Sequence, residues 1–188
     1  SGNSPVGADW FEVTNTRATP VNITGWKMDD NSGSPAAAVN LNGITNIGPG
    51  ESVIFLESSA PAIVVPFFRS LWFGETVPAN LQIGTYSGSG VGLGTGGDAV
   101  SLYNSGGVLQ ANVAFGSSPA GPSFPTFDNA SGLNNATISQ LSVVGVNGAF
   151  AAVSDANEIG SPGSIPTAPP PVLVAAGAML INERCSSN

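Results

Sequence analysis

Short apolar and β-branched runs, broken every few positions by glycine or proline, set the pattern of this chain. Eight runs read as strands: 10–14, 20–28, 52–56, 80–83, 99–103, 108–115, 137–144 and 172–183. Several alternate apolar with polar residues, as a strand does when one face is buried. Turn signals separate them, such as "GPGE" at 48–51 and "NSGG" at 104–107. Many short strands with frequent turns predict an all-β sandwich or barrel.

One stretch departs from that period. In "SAPAIVVPFFRSLWFG" (59–74), Phe67, Phe68, Leu71 and Trp72 recur at near-helical spacing after Pro66, and Gly74 follows. A proline in the first turn and a glycine past the end predict a short helix near 61–73. It is expected to cap one open end of the sandwich. The glycine-rich stretch 84–98 has no following Lys and no helical pattern, so it reads as a flexible connection rather than a phosphate cradle. "IGSPGSIPTAPPP" (159–171) reads as a semi-rigid spacer of polyproline II type. The chain then divides into a body at 1–160, a proline-rich linker at 161–171 and a terminal strand at 172–188.

Composition narrows the function. Of 188 residues only 9% are charged, and the net charge is -8 with four basic residues, Arg17, Lys27, Arg69 and Arg184. That leaves no basic patch for nucleic acid or an anionic membrane surface. The apolar run 172–181 is too short to span a bilayer, which needs about 20 residues. There is no His and one cysteine, Cys185. His-dependent triads and His/Cys zinc sites are therefore excluded, and no cofactor is implied. A surface of Ser, Thr, Asn and Gly with few Lys suits an extracellular or cell-surface protein. No leader pattern stands at Ser1, so a mature or a cytosolic chain is expected.

Five stretches, in order, resemble the lamin tail domain family as found in secreted bacterial proteins. They are "ADWFEVTN", "TPVNITGWKMDD", "IGPGESVIFL", "GTGGDAVSLYNSGGVLQANVAFG" and "EIGSPGSI", spanning most of 8–165. The resemblance implies an immunoglobulin-like β-sandwich with a binding or structural role and no catalysis. It also exposes a departure. Such domains open with an "I-N-E" strand shortly before the "D-W" strand, and none stands before Asp9. "LINERCSSN" at 180–188 has that character instead. The displaced strand can fold back into its own domain, insert into the next molecule as a donor strand, or begin a second domain of a tandem array. The eleven residues of the spacer reach at most about 40 Å, and prolines resist a U-turn. Insertion into a neighbour is the expected arrangement, with Leu173, Ala175, Gly177, Met179 and Ile181 entering the acceptor and Glu183 also binding the partner.

Candidate chemistry is sparse. Asp9, Glu12 and Glu183 would meet if the terminal strand paired beside 9–14; paired carboxylates suit acid/base work, but hydrogen bonding to turn backbone or pairing with Arg17 or Arg184 is the expected reading. Asp29, Asp30 and Asn31 in "MDDNSGS" offer oxygens for calcium, which needs six to eight, though a solvated Asx turn explains them too. Trp10, Trp26 and Trp72 suit sugar stacking or a core. Asn22, Asn129 and Asn135 stand in glycosylation sequons. Cys185 suits burial or a symmetric intermolecular disulfide. The expected function is a non-catalytic subunit of an extracellular filament or surface assembly, its partner a second copy of itself. The alternative is a carbohydrate-binding or adhesive module with the strand folded back.

Overall fold

The computed structural model describes residues 4–132, 137–164 and 179–185. In chain order its elements are β1 (Trp10–Asn15), β2 (Val21–Asn22), β3 (Lys27–Asp29), β4 (Val39–Asn40), β5 (Asn46–Ile47), β6 (Ser52–Glu57) and α1 (Pro61–Phe73). There follow β7 (Ile83–Tyr86), β8 (Asp98–Tyr103), β9 (Leu109–Phe115), β10 (Phe124–Pro125), α2 (Asn129–Gly132), β11 (Phe150–Ala151), β12 (Glu158–Gly160) and β13 (Met179–Cys185).

Two four-stranded sheets, ordered β13-β1-β6-β7 and β4-β3-β8-β9, make the sandwich. Alternation along each strand sends one set of side chains between them. Phe11, Val13, Val53 and Phe55 meet Met28, Val100, Leu102 and Val113 there, and Trp26 joins the same core. Phe11 stacks on Phe55 with ring centroids 5.6 Å apart. The expected all-β, immunoglobulin-like sandwich is the fold, with α1 where a helix was expected.

That helix does not cap an open end. It covers the outer face of the β1 sheet, where Trp10, Ile54 and Leu56 pack against Phe68, Leu71 and Trp72. The cause is topological. β6 and β7 run parallel, and parallel neighbours need a crossover of a dozen or more residues, which α1 supplies. Sandwiched between two cores, β1 is buried along its whole length, so Trp10 and Phe11 both belong to cores, on opposite faces. The helix keeps the expected bounds, but the proline in its first turn is Pro61, and Pro66 lies within it. Its end is at Gly74, where φ is 57° and the N–H donates to Ser70 O.

Three strand expectations shift. The run 20–28 splits into β2 and β3 around Gly25, whose φ of 74° turns the chain. The run 80–83 moves to β7, where Gly84 admits Phe55: a Cβ there would lie 2.7 Å from Phe55 Cε1. The run 137–144 contributes only single bridges, Ile138 to Phe115 and Leu141 to Phe127.

The terminal strand is present, on the free edge of β1 in the same chain. It runs antiparallel, with Cys185 opposite Trp10, Ile181 opposite Val13 and Met179 opposite Asn15. The register slips between Glu12 and Val13, leaving Asn182 without a counterpart, as at a β-bulge. The backbone of β13 also lies close to β9 of the other sheet and to α2. It therefore closes the side of the sandwich. Leu173, Ala175 and Gly177, with most of the expected linker, lie outside the described residues.

Candidate functional site

The edge at β1 is built around buried polar groups. Asn15, fully buried at the end of β1, donates its amide to the carbonyls of Thr19, Ile47 and Gly48 at 3.0, 2.9 and 3.0 Å. Its own oxygen accepts Arg17 N–H. One side chain thus ties the turn after β1 to β5. Glu12, also fully buried, accepts Gly163 N–H through Oε1 at 3.0 Å. Ser161 and Pro162 are buried as well, so packing continues to about 164, past the expected body.

Of the three carboxylates expected together, Glu12 and Glu183 take opposite positions in the β1–β13 register. Asp9 belongs to another group. Its Oδ2 accepts Leu93 N–H at 2.7 Å, and its carbonyl accepts Glu57 N–H at 2.7 Å. Burial, then the charge of Asp9, then a hydrogen bond with Asp9 raise the Glu57 carboxyl above its ordinary range. Glu57 was missed, although Trp10 pairs with Leu56 and the next antiparallel position sets Asp9 beside Glu57.

Glu158 was missed too. It sits fully buried on β12, and neither carboxyl oxygen has a hydrogen-bond partner. Ser4 Oγ comes close without completing a bond. Burial foremost, opposed by a downward pull from Ser4 and aided by a smaller rise from the charge of Asp155, pushes its pKa up to about 6.

The remaining candidates resolve toward structural roles. Asp29 is fully buried, and its Oδ2 accepts Ser32 Oγ at 2.7 Å and Ser34 N–H at 2.6 Å. Asp30 accepts Ser32 N–H, and Asn31 N–H donates to Asp98. One oxygen of each aspartate is taken by the loop's own donors, as in Asx turns, while Asp29 Oδ1 is buried without a hydrogen-bond partner. Among the described residues no group of three or more His, Cys, Asp or Glu is placed to hold a metal. Trp10 and Trp72 are fully buried and Trp26 is 6% exposed, so none offers a ring to a sugar. The glycine-rich stretch is not loose. Val91 and Leu93 enter the core, and the N–H groups of Leu93 and Gly94 go to Asp9 and Asp98.

Asn22 is exposed. Asn129 is fully buried and donates its amide nitrogen to Ser164 O at 2.7 Å, so the fold does not present it to a glycan. Asn135 lies outside the described residues. The backbone at Cys185 pairs with Trp10. A shallow depression is lined by Glu51, Asn80, Leu81 and Gln82, without an aromatic ring. No helix among the described residues is long and apolar enough to cross a membrane.

The family model for the Lamin Tail Domain matches residues 1–117, from before β1 through β9. No curated protein matches the chain. No solved structure matches it either. The matched span holds both main sheets except β13, with the central strand β1 buried between two cores. The chain belongs to the lamin tail domain family, a family of non-catalytic, immunoglobulin-like β-sandwich domains.

Proposed function

We propose that this protein is a non-catalytic structural subunit of an extracellular filament or surface assembly, polymerising by head-to-tail exchange of its terminal strand. The observation that carries the reading is the place of β13: the edge of β1, close to β9, beyond the family match and after a proline-rich connection. The strand stands in for the family's opening strand, displaced to the far end of a secreted, bacterial-type domain. An edge strand that completes a sandwich from the far end of the chain can be supplied by either of two copies with the same contacts. Supply in trans is heterologous and propagates when the rotation does not close. Low charge and the absence of His agree with a structural role outside the cell.

The pairing of β13 with β1 of its own chain favours a second reading, a self-complemented adhesive module. Its carbohydrate form is weakened by the burial of Trp10, Trp26 and Trp72. The test is a chain lacking 172–188, mixed with a synthetic 172–184 peptide. Polymerisation by exchange predicts poorly stable monomers that bind the peptide, and an intact chain that forms oligomers. A deleted chain as stable as the intact one, with no peptide binding, would remove the terminal strand from both readings.

A further inference from the structure

Asp9 joins three parts of the fold. It leads into β1, its carbonyl receives Glu57 N–H from the end of β6, and its carboxylate receives Leu93 N–H from the glycine-rich loop. The carboxyls of Asp9 and Glu57 converge on the loop at Gly92. A Cβ there would lie 3.8 Å from Glu57 Oε1 and 3.9 Å from Asp9 Oδ2. Leu93, beside it, carries its side chain into the inter-sheet core. What holds these carboxyls together therefore also holds the loop on the core.

Few other charges bear on the pair. Tyr86 is the β7 partner of Glu57. Residues 87–97 carry no titratable side chain, and Asp98 at their end is taken up by Gly94, Ala99 and Asn31 N–H groups. Residues 4–8 carry none. In α1 the only charge is Arg69, which donates to Leu81 O. On β13, Arg184 and Cys185 hold register positions opposite Phe11 and Trp10.

We propose that Asp9 and Glu57 form a proton-operated clasp on the glycine-rich loop. With one proton between them, Glu57 donates to Asp9 and the loop is fastened. With both ionised, the two carboxylates repel and the hold on Leu93 weakens. The direction follows from the raised Glu57 carboxyl. A raised acid contributes stability below its unfolded pKa and loses it as pH rises through the folded value. The clasp is thus tight in acid and slack at neutral pH. It stands independently of the terminal-strand reading.

Amide hydrogen exchange on the full chain tests it, with each rate divided by the intrinsic rate at that pH. Protection at Leu93 should fall severalfold between about pH 4 and pH 7, across the carboxylate range, while Val100 in β8 shows no matching fall. In Glu57→Gln the amide donates to Asp9 at every pH, so Leu93 should stay protected throughout. Flat protection at Leu93 in the wild type, an equal fall in Glu57→Gln, or a fall shared with Val100 would each overturn the proposal.

Discussion

Trp10 and Phe11, neighbours in the chain, stand in different cores. The Trp10 ring lies 5.3 Å from Phe68 of α1, edge-on, while Phe11 lies 5.6 Å from Phe55 between the sheets. β1 is therefore the strand on which both cores depend, and its remaining edge is the one that β13 fills. Whatever occupies that edge acts on a strand that is buried along its whole length.

The helix offers a direct contrast between adjacent residues. Phe68 is fully buried against Trp10, whereas Phe67 is 44% exposed. Phe68→Ala should cost about 3–5 kcal/mol, as buried aromatic truncations do. Phe67→Ala should stay within about 0.5 kcal/mol of the wild type, as surface changes do. Denaturant titration of the two variants checks the placement of α1, and equal losses would refute it.

Glu158 should make stability fall with rising pH. Its carboxyl is raised from 4.5 to about 6 by burial, so folding favours the protonated form. Its contribution is present below about pH 4.5 and lost as pH rises through about 6, a loss of about 2 kcal/mol. Glu158→Gln should remove that fall and be the more stable protein at pH 7. Thermal melts of both proteins at pH 4 and pH 7 give the comparison.

Asp29 should act through its loop rather than through a cation. Removing its acceptor from Ser32 and Ser34 should cost about 1.5–3 kcal/mol in Asp29→Ala, the range for hydrogen bonds to charged groups. Calcium or a chelator should leave the wild-type melting temperature unchanged. A calcium-dependent rise that Asp29→Ala abolishes would reinstate the metal site.

The two sheets were legible because their strands keep period two between strong turns, as in β8 and β9 with "NSGG" between them. The helix was legible from Phe68, Leu71 and Trp72, but its position was not. A parallel β6–β7 pair is a fact of pairing that no local pattern carries. The Asp9–Glu57 pair depended likewise on register, and the burial of Glu158 on how the three-stranded sheet β10-β12-β11 packs. The glycine-rich loop looked loose because glycine signals freedom; Asp9, at a sequence distance of 84 residues from Leu93, removes that freedom.

The most direct test of the account is the mass and shape of the intact chain. Light scattering after size separation, with negative-stain imaging of the same fractions, distinguishes the arrangements. Strand exchange predicts a ladder of oligomers and filaments that persists in mild denaturant and collapses to monomers when 172–188 is deleted. A single monodisperse monomer at every concentration, with β13 exchanging its amides only on global unfolding, would contradict the filament reading and leave the strand serving its own domain.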